Sequence, residues 1–271
     1  GFPDKISKEE IQKRKDLRDT LTITIDPVDA KDFDDAISYK KLENGNHEIG
    51  VHIADVSHYV RPNSALDDEA FDRATSVYLV DRTIPMLPER ISNHLCSLKP
   101  NVDRLAFAVI FELNNNADIV NYWVGKTVIH SDRRFSYEEA QEVIEGKSQE
   151  LKTEIQQLNT LAHKLRNQRY KNGAISFESD EFRFVLDDQG KPIEVIKKVR
   201  VDAHKMIEDY MLLANKTIAK HVYTKIKKVL PYRVHDSPNI EKMAFFIQTA
   251  KKFGYLIDTK SNESISATIN N

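Results

Sequence analysis

The stretch LTITIDPVDAKDFDDA, residues 21–36, sets five aspartates within ten positions: Asp26, Asp29, Asp32, Asp34 and Asp35. Two carboxylates ~5 Å apart repel by about 3 kcal/mol at an effective dielectric of ~20. Lys31 is the one basic side chain among them. The crowding has two readings. The aspartates point apart into water as an acidic turn, a setting Asp favours, or they converge on a cation. Asp26 closes an alternating strand, with Leu21, Ile23 and Ile25 on one face and Thr22, Thr24 and Asp26 on the other. Pro27 stops that strand from continuing in a central position. Asp32 and Asp34, two apart around the apolar Phe33, point the same way in an extended segment, and Asp35 joins them where the backbone turns. Oxygen ligands with no His or Cys close by suit a hard cation, Mg²⁺ or Mn²⁺. Such sites hydrolyse phosphodiesters, with metals activating water and steadying the leaving oxygen. An EF-hand does not fit, because its glycine at the sixth position and glutamate at the twelfth are missing. The tripeptide DFD also matches the short DxD signal of nucleotide-sugar transferases.

The elements that must carry these residues follow from pattern. Residues 7–18 read as a charged lead-in helix, with Ser7 and Glu10 at capping-box spacing. Strand 21–26 precedes a hairpin of 36–42 and 47–56 around the turn ENGN. A short helix near 66–75, the strand SVYLV at 76–80 and a helix over 88–98 follow. The strands 104–113 and 119–129 form another hairpin. The first of them is apolar on both faces and therefore central in a sheet. Residues 136–146 form a helix with a capping box, and 148–172 a longer one with an apolar stripe. Strands are expected at AISFES, EFRFVLD and IEVIKKV, a long helix at 202–226, a short strand and turn at LPYRVHDSP, and a last helix at 239–254. The ending DTKSNESISATINN is polar and lacks a core-forming pattern. The fold class is α+β: a curved, largely antiparallel β core, mixed or barrel-like, with helices around it.

Bulk composition narrows the class. Of 271 residues, 40% are hydrophobic and 30% charged, a soluble globular balance. Forty basic against 42 acidic side chains leave a net charge of −2, so no whole-chain basic footprint for nucleic acid exists. An acidic metal site would itself cancel basic residues elsewhere. A single cysteine, Cys96, rules out a disulfide framework within the chain and fits a reducing cytoplasm. No signal-peptide pattern opens the sequence, and no run approaches the roughly 18 apolar residues of a membrane span.

Six blocks together resemble the catalytic RNB domain of the ribonuclease II family, most of all its ribonuclease R branch. They are DLRDTLTITIDPVDAKDFDDAI, VHIADVSHYV, TSVYLVDRTIPMLPERISNHLCSLKP, GAISFES, DAHKMIEDYMLLAN and YRVHDSP. The resemblance covers nearly the whole chain in family order. It implies a processive 3′→5′ exoribonuclease that uses Mg²⁺ to hydrolyse single-stranded RNA to nucleoside 5′-monophosphates. Carried over by position, it makes Asp26, Asp32, Asp34 and Asp35 the metal-site and catalytic aspartates, with Asp34 the one most critical for chemistry. Asp29 falls outside the motif. Tyr78 and Phe177 match rings that clamp the 3′-terminal bases; such stacking is worth ~1–3 kcal/mol per base and tolerates any sequence. Tyr137 and Glu208 match positions linked to reading the ribose, whose 2′-hydroxyl both donates and accepts. Asp209 is the alternative to Glu208. Arg233 and His235 are phosphate-contact candidates. His52, His58, His94 and His204 form no metal pattern and read as structural. The basic clusters Arg133/Arg134, Lys197/Lys198/Arg200 and Lys225/Lys227/Lys228 read as solvated faces, apart from any that line an RNA channel.

The resemblance also implies a later block of the TSPIRRY type, and flanking cold-shock-like and S1-type domains, none of which occurs in this sequence. The expected organisation is a lead-in at 1–19, a partial catalytic domain at 20–256 and a polar tail at 257–271. On this reading the chain alone is inactive or weak. Two competing classes remain: a catalytically silent RNA-binding module that keeps the fold, and a DxD nucleotide-sugar transferase. The second leaves the other five blocks unexplained.

Overall fold

A computed structural model of the chain describes residues 2–176, 180–234, 236 and 238–270. In chain order the elements are α1 (Lys8–Gln12), β1 (Lys15–Asp16), β2 (Thr22–Asp26), β3 (Asp35–Lys41), β4 (His47–Ala54), α2 (Val56–Tyr59), α3 (Ala65–Arg73), β5 (Val77–Tyr78) and β6 (Thr83–Ile84). A π-type turn at Ile91–Leu95 leads to β7 (Asp103–Leu113), β8 (Ile119–His130), β9 (Arg133–Ser136), α4 (Tyr137–Ile144) and α5 (Lys152–Lys171). The remainder is β10 (Phe182–Leu186), β11 (Pro192–Lys197), α6 (Asp202–His221) with a π-type extension at Val222–Ile226, α7 (Ile240–Lys252) and α8 (Asn262–Asn270).

Seven strands form one mixed sheet in the order β1-β8-β7-β4-β3-β2-β9. The four interior pairings are antiparallel, while β1 joins β8 and β9 joins β2 in parallel. The expected α+β class with a largely antiparallel, mixed core is what forms, as an open sheet rather than a closed barrel. Strand β7 lies between β8 and β4, as its two apolar faces require. Its alternation shows why. Val109, Phe111 and Leu113 enter a core with Ile155, Leu158 and Tyr210 of α5 and α6. Ala106, Ala108 and Ile110 enter a second core with Phe33, Leu95 and Leu98. Helices thus cover one face of the sheet, and loops with short helices cover the other.

Several elements depart from the sequence pattern. The lead-in helix stops at Gln12, and Lys15–Asp16 instead extends the sheet edge beside Thr127 and Val128. Residues 230–234 form no strand, nor do 174–176; the rest of AISFES lies outside the described residues. The polar ending forms α8. Its Ser266 hydroxyl donates to the Ala174 carbonyl at 2.7 Å, as does Asn270 Nδ2 at 2.9 Å, which fastens the helix by polar contacts where no apolar stripe does. Strand β9, hidden from the pattern by its arginines, is the element most relevant to function.

Candidate active site

Four elements meet at the aspartates. Strand β2 ends at Asp26, which pairs in register with Ser136 at the end of β9. The chain then turns directly into α4. Ser136 Oγ accepts from Glu139 N at 3.1 Å and Glu139 Oε2 accepts from Ser136 N at 2.6 Å, a complete capping box. That cap fixes Tyr137, the first residue of α4, beside Asp26. The loop from Pro27 to Asp34 is anchored by buried Phe33. Phe33 N donates to Ser97 Oγ at 3.0 Å, Ser97 Oγ donates to the Lys31 carbonyl at 3.0 Å, and Leu98 N donates to the Phe33 carbonyl at 2.8 Å. Ala54 N donates to the Asp34 carbonyl at 2.9 Å, and Asp35 opens β3 opposite Ile53. With Phe33 turned into the core, Asp32 is half-buried and Asp34 exposed.

The electrostatics bind these groups into one neighbourhood. Asp26 is 7% exposed, and burial, followed by the charges of Asp35 and Asp34, pushes its carboxyl up to about 7. Arg134 and the Thr24 hydroxyl pull the other way, although Thr24 Oγ1 makes no hydrogen bond of ordinary length. Burial and then Asp34 lift Asp35 to about 6. Asp34 is raised by desolvation and by Asp32. Burial first, then Asp35 and Asp26, push the Tyr137 phenol up to about 12. Asp26 Oδ2 is buried with no hydrogen-bond partner. A buried acid oxygen left unpaired, beside carboxylates that repel it, is what a divalent cation would satisfy, and the donor set is all oxygen. Among the described residues, however, no three His, Cys, Asp or Glu side chains are gathered tightly enough to hold a metal as placed. The acids approach from a strand end, a loop and the next strand, and repulsion opposes drawing them closer without positive charge.

Of the other expected residues, Tyr137 shares this neighbourhood, while Glu208, Tyr78 and Arg233 stand on other segments. Tyr137 stacks face to face on His204 of α6, with centroids 3.8 Å apart and planes at 10°. Glu208 sits one turn further along α6 and pairs with Arg200 and, at 4.0 Å, with Arg169. Its neighbour Asp209 is buried and locked between Arg166 at 2.8 Å and Arg169 at 2.7 Å. Asp209 is thus committed to the core, which leaves Glu208 as the acid able to face a ligand. Beside Glu208 opens a cleft of about 120 Å³ lined by Arg166, Arg169, Arg200, Lys205 and Ser176, among others. Tyr78 lies on the separate β5–β6 ribbon and is 72% exposed, as a stacking platform must be. Arg233 is exposed in the segment after α6. Phe177 and His235 lie outside the described residues.

Three contributors were not singled out by the sequence pattern as site residues. Ser97 ties the aspartate loop from the opposite layer, His204 backs Tyr137, and Arg134 reaches into the acidic site. Arg133 behaves as the solvated pattern predicts, pairing with Glu139 at 3.1 Å and Glu150 at 2.9 Å. Arg134, next to it, does the opposite. Its guanidinium lies 5.6 Å over the Phe33 ring and donates to the Pro27 carbonyl. The signal available in sequence was the alternation of RRFS, which puts the two arginines on opposite faces of a strand.

Comparison with known proteins gives the family. The RNB domain family matches residues 14–271. The chain is 44% identical over 280 residues to DIS3-like exonuclease 2 of Schizosaccharomyces pombe, covering 97% of this chain and 30% of that protein. It is 46% identical over 247 residues to ribonuclease R of Thermotoga maritima, covering 89% of this chain and 35% of that protein. The structure of Mycoplasma genitalium RNase R in complex with ribose-methylated single-stranded RNA superposes with a TM-score of 0.91 at 34% identity, over 98% of this chain and 43% of that one. The chain therefore spans about a third of its curated relatives' length. Among the described residues no helix is long and apolar enough to cross a membrane. With the family matched along nearly its full length, this chain belongs to the RNB domain family.

Proposed function

We propose that the protein carrying this chain is a divalent-metal-dependent exoribonuclease. It shortens single-stranded RNA from the 3′ end and releases nucleoside 5′-monophosphates in the cytoplasm. The observation that carries the reading is the shared neighbourhood of Asp26, Asp32, Asp34 and Asp35, with a buried Asp26 oxygen left unpaired. These four residues would hold Mg²⁺, or Mn²⁺ in its place. The cation, when bound, neutralises the acids and lowers the pKa of a water. In the net reaction water adds at the terminal phosphodiester, the P–O3′ bond breaks, the penultimate nucleotide keeps its 3′-oxygen as a hydroxyl, and the last nucleotide leaves with the phosphate.

The other residues position the strand. Tyr78 and Phe177 stack on the terminal bases, which gives affinity without sequence preference. Tyr137, held by the α4 cap and by His204, and Glu208 on α6 read the 2′-hydroxyl. The cationic cleft beside Glu208 offers phosphate contacts, with Arg233 and His235 contributing from the following segment. Flanking cold-shock-like and S1-type domains would feed RNA toward this site.

The test uses 5′-labelled oligo(A) and oligo(dA) with the intact protein in Mg²⁺ and in EDTA. The expected result is stepwise loss from the 3′ end of oligo(A) alone, with 5′-AMP as product and no loss in EDTA. Internal cuts, equal attack on oligo(dA), or activity that survives EDTA would overturn the proposal. Binding of UDP-sugars in place of oligo(A) would revive the transferase reading.

A further inference from the structure

The aspartate loop is fastened unevenly. Its second half is held by four hydrogen bonds from outside or across the loop, at the Lys31 and Phe33 carbonyls, the Phe33 amide and the Asp34 carbonyl. Its first half, residues 27–30, begins with a proline that has no N–H to give, and residues 27–29 are exposed. An internal turn, Ala30 N to the Pro27 carbonyl at 3.0 Å, shapes this half, and Ala30 packs against the second core. Among the described residues, the hydrogen bond reaching 27–30 from outside comes from Arg134 Nη2, which donates to that same Pro27 carbonyl.

The same guanidinium faces the Phe33 ring at the loop's far end. One planar group therefore touches the residue following Asp26 and the residue between Asp32 and Asp34. Its base is fixed by the parallel register of β9 on β2, which sets Arg134 opposite Thr24. Its Nε is buried without a partner, so the side chain holds this pose at the cost of an unsatisfied donor. A lysine could carry the charge but lacks the planar fork that lets one group lie over the ring and donate to the carbonyl at once.

We infer that Arg134 is a positioning residue that clamps the two ends of the aspartate loop and so sets the separation between Asp26 and the Asp32–Asp35 group. This inference rests on the metal-site reading above. Outer partners of a metal site of this kind typically change metal affinity by about 10–100-fold when removed. Arg134 also places a fixed positive charge among the acids, which taken alone disfavours a cation, so a loss of Mn²⁺ affinity on its removal reports the clamp and not the charge.

The experiment titrates Mn²⁺ into the intact protein, following free Mn²⁺ by electron paramagnetic resonance. It compares wild type with Arg134→Ala, Arg134→Lys and Asp26→Asn, and records the melting midpoint of each. The expected result is Mn²⁺ affinity weakened about tenfold in Arg134→Ala. Arg134→Lys, which keeps the charge alone, should be weakened by about threefold or more. Oligo(A) binding should stay near the wild-type value in both. If Asp26→Asn weakens Mn²⁺ binding while both Arg134 variants bind as wild type, the clamp is overturned and the metal site stands. If Asp26→Asn also binds as wild type, both fall. Should Arg134→Ala fail to fold, Arg134→Lys decides. Loss of the fold in both variants would overturn a positioning role in favour of a purely structural one.

Discussion

Asp26 and Asp35 are carboxyls whose surroundings resist their charge. Burial first, then the charge of Asp35 on Asp26 and of Asp34 on Asp35, lift them to about 7 and about 6. A carboxyl raised in the fold holds its proton more tightly folded than unfolded. Its stabilising contribution is complete below the unfolded value of about 4 and is lost as pH climbs through the folded value. His52 acts in the opposite sense. Fully buried, its imidazole is pushed down to about 3, so its contribution is present above the unfolded value of about 6.5 and fades as pH falls. The difference between wild type and Asp26→Asn separates the two. In metal-free protein, Asp26→Asn should gain on wild type by on the order of 1–3 kcal/mol as pH rises from about 5 to about 8. Urea titration at each pH measures this, and saturating Mg²⁺ should remove most of the gain. Parallel curves across that range would contradict the assigned repulsion. At this scale the sequence was informative where residue types and spacing brought like charges together. The shared neighbourhood of Asp26, Asp32, Asp34 and Asp35 was legible because acids crowded after a strand are costly. Arg134 was not, because an arginine beside a second arginine reads as surface until the strand that aims it is seen.

The elements explain which of two adjacent acids is available for function. On α6, Asp209 faces α5 and is gripped by Arg166 and Arg169, while Glu208 faces the cationic cleft. Breaking a buried ion pair by removing one partner costs about 3–5 kcal/mol, since the other charge stays buried. Asp209→Asn should therefore lower stability by about 3 kcal/mol in denaturant titration, with activity lost in proportion to unfolding. Glu208→Gln should leave stability within about 0.5 kcal/mol and instead reduce discrimination between oligo(A) and oligo(dA). The reverse pattern would exchange their roles. Helices α4, α5 and α6, the two long hairpins and the central place of β7 were readable from caps, turns and periodicity. Strands β1, β6 and β9 were not, because two to four residues carry too little period to register. Helix α8 was missed because polar contacts at Ala174 hold it where an apolar stripe would have announced it.

At the scale of the whole molecule, the helix-covered and loop-covered faces of the sheet are both filled, and the aspartate site lies where β2, β9 and the loop before β3 meet. The region from the end of α6 through α7 differs. Helix α7 buries none of its residues, and Val229, Phe245, Phe253 and Leu256 are exposed. The resemblance places a later arginine block among the phosphate-binding groups of the site. Removing one preorganised donor of this kind costs about 10²–10³ in rate. The 271-residue chain alone should therefore release mononucleotides at least about 100-fold more slowly than the intact protein, in a decay assay on labelled oligo(A) with Mg²⁺. Equal, processive decay by both would show that the site is complete within this chain.

The proposed role of the aspartate neighbourhood is to perform the chemistry and not merely to hold RNA. It is tested most directly by Asp34→Asn in the intact protein, measuring cleavage and oligo(A) binding side by side. Asp34 is exposed and its backbone carbonyl is already held by Ala54, so the substitution leaves the loop's ties in place. Cleavage should be abolished while RNA binding stays within a few-fold of wild type. Cleavage retained at the wild-type rate would contradict it.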